Sequence, residues 1–149
     1  MNNANHKIIT ELGVVVEHYF GAVNMEDIIA LKREISFENN YSPSLNLIMD
    51  FQHAKILFDT SALSEYVAFA KNYKKTYGKR NTAFLTNSPT GVVLSTIFEL
   101  MKGDLPVNSD TFSTLEAVTT WFRYTTEEFN IIKTELESLR HKAHLIQIV

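Results

Sequence analysis

The residues best suited to chemistry lie between positions 50 and 61. Asp50, His53, Lys55 and Asp59 could exchange protons if the fold brought them together, and Asp59-Thr60-Ser61 stands directly before a helical pattern. Their proximity is in sequence only, so an acid–base site is not expected from it. The chain contains no Gly-rich phosphate loop, no H-E-x-x-H pair and no G-x-S-x-G elbow. His141 and His144 are three apart and could share a helix face, but a metal needs a third ligand that the spacing does not reveal. With no cysteine, thiolate catalysis, disulfides and Cys-based metal sites all drop out. An enzyme is therefore not expected, and neither is a metal or a cofactor. Asp59-Thr60-Ser61 reads first as a helix cap, with Asp59 or Thr60 accepting from free backbone N–H groups, and Asp50 as a strand terminator accepting from the next turn.

These residues are positioned by the stretch Leu45 to Phe51, a nearly continuous apolar run of the kind found in a central strand covered on both faces. Asp50 is expected at its carboxyl end, on the edge where open α/β sheets place their functional surface. Upstream, His6–Glu11 and Leu12–Phe20 read as two strands turning at Leu12-Gly13, with Gly21 closing the second, and Asn24 caps a helix reaching Asn39-Asn40. Downstream, Leu63, Tyr66, Val67, Ala70, Tyr73 and Tyr77 predict a helix ended by Gly78. Thr82–Thr86 is a strand, and Ser88-Pro89 opens a helix to Lys102 that is apolar around a wide arc, as if pressed between the sheet and another element. Leu105–Phe112 holds one more strand, and Ser113-Thr114-Leu115-Glu116 has capping-box spacing before a short helix. Beyond Thr125 or Thr126, Phe129, Ile132, Leu136, Leu139 and Ala143 form a seam stepping by three and four, followed by an apolar tail.

A length of 149 residues with 45% hydrophobic content fits one domain with a sizeable core. The net charge of −3 gives no global reason for binding nucleic acid or anionic lipid. Lys71 to Arg80 does carry five basic residues interleaved with tyrosines, but cations at a helix carboxyl end complement its dipole, so no nucleic acid is expected. No apolar run approaches the roughly 20 residues needed to span a bilayer. A start lacking signal-peptide features and the absence of cysteine lead to the expectation of a cytoplasmic protein.

The strand and helix order, together with Phe58-Asp59-Thr60-Ser61-Ala62-Leu63 after the central strand, resembles the STAS family. It is similar to the phosphorylation loop of the SpoIIAA-like, anti-sigma factor antagonist-type members. Ser61 falls on the position that carries phosphate there, and Ala62 stands where Gly is usual. The segment Asp110 to Phe122 resembles the ending of the SpoIIAA-like bacterial subfamily. The two matches cover about half the chain. The resemblance implies an α/β fold with a mixed, mostly parallel five-stranded sheet, in the order strand-strand-helix-strand-helix-strand-helix-strand-helix, plus an added C-terminal helix. Residues 1–124 would form the domain, and 125–149 an extension packing on it or at a homodimer interface through 129–149. The implied function is a regulatory, non-enzymatic module binding a protein partner through Asp50, Asp59, Thr60, Ser61, Thr86 and Ser88, switched by phosphorylation. The alternative is a domain binding a small lipid-like apolar ligand in a cavity lined by residues such as Phe58, Tyr66, Phe84 or Phe98.

Overall fold

The computed structural model describes residues 3–73 and 78–147. Its frame is a five-stranded sheet in simple sequence order: β1 (Ala4–Ile9), β2 (Val14–Val23), β3 (Asn46–Ile56), β4 (Arg80–Leu85) and β5 (Val107–Phe112). β1 and β2 are an antiparallel hairpin with Gly13 at φ 63°, a left-handed conformation that glycine adopts without steric cost. The remaining pairs are parallel. Right-handed crossovers that always step the same way put their helices on one face. Accordingly α1 (Met25–Ser36), α2 (Thr60–Asn72) and α3 (Pro89–Met101) cover one side, with Ile28, Leu31, Tyr66, Val67 and Phe98 packing on Val15, Tyr19, Leu47 and Met49. The short α4 (Leu115–Trp121) and the long α5 (Thr126–Gln147) cover the other. Because the strand order never reverses, the sheet has no topological switch point, the usual ligand crevice of doubly wound folds.

Local signals explain the boundaries. Asn24 and Asp27 form a reciprocal capping box at α1. Asp59 caps α2 by accepting from the Ala62 N–H, and Ser88 caps α3 from Gly91 with proline next in line. Thr114, one residue after the start expected from the capping-box spacing, caps α4, and Thr125 with Glu128 closes a capping box at α5. The seam of α5 is occupied within the chain. Ile132, Leu136 and Leu139 are buried with Ile9, Val14, Val16 and Ile48, and Ala143 is buried too, so of the two places expected for this apolar stripe, on the domain or at a homodimer interface, it occupies the sheet of its own protomer.

Two expectations are corrected. β3 does not stop at Phe51. β4 leaves it at the Asp50–Leu85 pair, but β3 continues beside an extended β2 as a two-stranded ribbon, Phe20 opposite His53 through Val23 opposite Ile56. The register shift between His18 and Phe20, with Gly21 at φ 67°, is the bulge that lets this ribbon twist away. Asp50 therefore sits inside a strand and not at its end. Nor is α3 enclosed: Gly91, Leu94, Ser95 and Phe98 are buried, while Val92, Val93 and Leu100 face solvent. The first helix turn after β4 approaches so closely that a Cβ on Gly91 would stand 2.2 Å from Thr86 Oγ1, which is why glycine occupies an early helical position.

Candidate functional site

At the level where β4 ends, β2 and β3 aim His18 and Asp50 toward the α5 layer. Asp50 is fully buried, and its carboxylate is saturated. Oδ2 accepts from His18 Nδ1 at 2.8 Å and from Arg140 Nε and Nη2 at 3.3 and 3.2 Å, while Oδ1 accepts from the Gln52 N–H at 3.1 Å. Burial alone would push the carboxyl up, but the bonds from His18, Arg140 and Gln52 outweigh it and hold Asp50 below the usual carboxylate range. A carboxylate can only accept, so the proton between the two rests on His18 Nδ1. The His18 ring stacks on Phe20 and meets His53 edge-on, both at 5.6 Å between centroids. Burial, and then the Arg140 charge, push the imidazole of His53 down, with Asp50 pulling the other way.

The network continues to the surface through Gln52. Its Oε1 accepts from Arg140 Nη2 at 2.6 Å, and its Nε2 donates to Asn87 Oδ1 at 3.2 Å and to the Ser113 carbonyl at 3.1 Å. One side chain thus ties the β4–α3 loop and the β5–α4 loop to β3, and Arg140 ties α5 to the same point. The consequence is that two loops and α5 hold one geometry at this edge. Beside it Asp59, Thr60 and Ser61 are exposed at the start of α2, and Leu57 is 56% exposed.

The residues expected at this edge divide. Asp59, Thr60 and Ser61 are together on the surface, and Ser88 is half-buried as the α3 cap. Asp50 and Thr86 are in the interior, where Thr86 Oγ1 accepts from the Ser88 N–H. Asp50 has no surface to offer a partner, and its contribution is to fix Gln52. His18, Gln52, Asn87, Ser113 and Arg140 were not anticipated. The Asp–His dyad resembles the pair that orients a general base, but His18 is 1% exposed and faces inward. His141 and His144 are exposed on α5, and among the described residues no cluster of three His, Asp or Glu could hold a metal ion. Of the basic run, Lys74 and Lys75 lie outside the described residues. Arg80 is buried, bonded to the Tyr41 hydroxyl and the Pro43 and Ser42 carbonyls. No helix among the described residues is long and apolar enough to cross a membrane.

On the other face, a cavity of about 40 Å³ lies between α1, α2, α3 and the sheet. Phe58, Tyr66, Phe84 and Phe98 all line it, joined at one end by Thr86 and Ser95.

No protein-family model and no curated protein matches this sequence. Solved structures do. The chain is similar to an uncharacterized DUF3478-family protein with a SpoIIAA-like fold from Shewanella loihica PV-4, with a TM-score of 0.55 and 12% identity over 81% of this chain and 94% of that one. It is also similar to the anti-sigma factor antagonist SpoIIAA in its unphosphorylated form, with a TM-score of 0.51 and 17% identity over 83% of this chain and 99% of that one. At such identities the likeness concerns the fold, and there it agrees with the resemblance read from residues 45–122: the chain has a SpoIIAA-like fold of the STAS type.

Proposed function

We propose that this protein is a non-enzymatic regulatory module that binds a protein partner through the rim formed by Leu57, Asp59, Thr60, Ser61 and Ser88. The observation that carries this reading is the joint exposure of Leu57, Asp59, Thr60 and Ser61 at the start of α2. On the neighbouring loops the Gln52 amide bridge holds Asn87 and Ser113, which lowers the ordering cost of recognition there. Burial of both members of the Asp50–His18 dyad supports recognition over bond-making. The similar SpoIIAA structure is described as an anti-sigma factor antagonist in an unphosphorylated form, and the same type of switch is proposed at Ser61. Ser61 is exposed in the first turn of α2, where a phosphate would be accepted by the positive end of the helix while adding about −1.5 to −2 charges beside Asp59.

A photo-crosslinking residue at position 60, used in lysate of the native cell, tests this. One protein should be captured in stoichiometric yield. The capture should be lost with Leu57→Asp and weakened about tenfold or more by Ser61→Asp, but kept with Ser61→Ala and with Glu34→Gln on α1. Capture unaffected by Leu57→Asp would remove the rim from the reading, and Ser61→Asp and Ser61→Ala both binding like the wild type would end the switch.

The cavity lined by Phe58, Tyr66, Phe84 and Phe98 supports a second reading, an apolar small-molecule site. Its size ranks it second. An apolar cavity that holds benzene measures about 150 Å³, so a lipid-like chain would enter this one only if α2 and α3 parted. Native mass spectrometry of freshly purified protein should then show a mass added to 17.0 kDa.

A further inference from the structure

The apolar cavity and the rim share one stretch of chain. Between the end of β3 at Ile56 and the start of α2 at Thr60, Leu57 and Asp59 are exposed, while Phe58 between them is half-buried and lines the cavity. At the cavity's other end the hydroxyls already have partners. Ser95 Oγ donates to the Val92 carbonyl at 3.0 Å and accepts from Thr111 Oγ1 at 2.7 Å, and Thr86 Oγ1 accepts from the Ser88 N–H at 3.3 Å and stands 3.5 Å from Ser88 Oγ. Those two residues offer an occupant little to bond, which favours a compact apolar molecule over water or a polar head group. The aromatic wall is fixed except at one place. Phe84 and Phe98 meet edge-on at 5.6 Å, Tyr66 stands 6.0 Å from Phe98, and Phe51 stacks on Tyr19 at 4.6 Å between centroids. Phe58 lies outside regular structure and, among the described residues, enters no ring pair.

We infer that a compact apolar molecule enters this cavity by turning the Phe58 ring out of the wall, and that the displaced ring carries the occupancy to Leu57 and Asp59, so that a bound molecule alters the partner-binding rim. This rests on both readings given above and adds the link between them. The link follows from size and connectivity. The cavity measures about 40 Å³, whereas one that holds benzene measures about 150 Å³. An occupant must therefore gain volume from a neighbour, and in a close-packed interior the side chain held least is the one that yields. For a molecule of this size the helices need not part. On one side of Phe58 the Leu57 N–H donates to the Val23 carbonyl at 2.9 Å, and on the other Asp59 caps Ala62, so a ring leaving the wall passes between two residues that the rim displays. A molecule that fits only when the ring is turned out shifts the population toward that state.

Amide NMR spectra of the full chain titrated with benzene test this. In the wild type, signals of Leu94 and Phe98 at the cavity and of Leu57, Asp59 and Ser61 at the rim should shift together with one midpoint, while Ile132 and Leu136 on the far face of the sheet stay in place. Phe58→Ala removes the ring that must be displaced. It should bind benzene about tenfold more tightly or better, because no fraction of the protein is held in a closed state, and the rim shifts should largely vanish while the cavity shifts remain. Phe58→Leu, a milder change to the packing, should fall between the two. Cavity shifts without rim shifts in the wild type would overturn the link and leave the cavity reading standing. No shift in the wild type or in either variant would overturn the inference together with that reading. Rim shifts as large in Phe58→Ala as in the wild type would remove the ring as the carrier and overturn it as well. Shifts confined to the exposed Val92, Val93 and Leu100 would put benzene on the outer side of α3 and overturn it equally.

Discussion

Glu17 and His18 are neighbours in β2, yet strand alternation sends them into opposite layers and into ion-pair networks of different construction. Glu17 lies under α1, where both of its oxygens accept from Lys32 Nζ at 2.8 Å and Oε1 also accepts from the Tyr19 hydroxyl at 2.6 Å. Both members of that pair are buried, at 2 and 3% side-chain exposure. His18 meets Asp50 under α5, and there the third member, Arg140, reaches in from the surface with 29% of its side chain exposed. The first network is buried within one layer, under α1. The second is open at one end and passes through Gln52 to the rim loops. The comparison teaches that burial of charge serves two ends in this fold: one network fixes a helix on the sheet, and the other carries the rigidity of the core to the surface.

The sharpest way to break the comparison is to remove one partner from the sealed network. Lys32→Met leaves Glu17 as a buried carboxylate facing a methyl group, and removal of one member of a buried pair typically costs about 3–5 kcal/mol. Urea unfolding should show that loss, and Glu17→Gln combined with Lys32→Met should recover most of it, because the glutamine still accepts from Tyr19. Burial, opposed by Glu17, brings the Lys32 ammonium from its ordinary value of 10.5 down to about 8. Between those values the unfolded chain holds a proton that the folded chain has released, so this group makes stability rise with pH from about 8 to 10.5. The difference between the wild type and Lys32→Met should therefore change across that window. A flat difference would mean that the pair stays fully ionised.

Arg140→Met tests the open network and should cost less, about 1–2 kcal/mol, because Asp50 keeps His18 and the Gln52 N–H. Asp50 titrates below its ordinary value, so its contribution is present at neutral pH and is lost as pH falls through the lowered folded value. Without Arg140 that value rises, and acid unfolding should begin at a higher pH. The same variant frees one acceptor of Gln52, so hydrogen exchange in the loops at Asn87 and Ser113 should quicken while β2 under α1 is unchanged. Equal costs for Arg140→Met and Lys32→Met would erase the distinction between the sealed and open networks.

Much of the frame was legible in the chain. Leu45 to Phe51 reads as a covered central strand because both faces are apolar, and the three-and-four step from Ile132 to Ala143 marks the buried stripe of α5. β3 was read too short because its pattern changes at Asp50. Beyond that point the strand is a ribbon with one covered side, and Gln52-His53-Ala54-Lys55-Ile56 alternates as a loop also can. In the candidate site, the exposed cap from Asp59 to Ser61 is readable in the chain because caps are local. The rest joins residues 32 and 90 positions apart, a separation that periodicity does not report. One signal was available. Glu17 and His18 interrupt a β-branched and aromatic run, and polar groups in a strand that must be buried require partners somewhere. The exposed side of α3 was misread for the converse reason, since apolar composition all round a helix implies cover without saying whether the cover belongs to the same chain.

The smallest effect calibrates the others. His6 Nε2 and Glu38 Oε2 stand 2.5 Å apart with 15 and 43% side-chain exposure, a pair joined at the surface and charged only when His6 is protonated. Its distance is the shortest of the three contacts compared, so if distance set the worth of an ion pair, His6→Gln would be the most damaging change. If burial sets it, the loss should be no more than about 1 kcal/mol and should shrink further in 1 M salt, where exposed charges are screened within about 3 Å. Parallel urea curves for His6→Gln, Arg140→Met and Lys32→Met separate these cases. A ranking that follows exposure places the energetic weight in the desolvated pairs, and a salt-insensitive loss at His6 above that of Arg140 would return it to contact geometry.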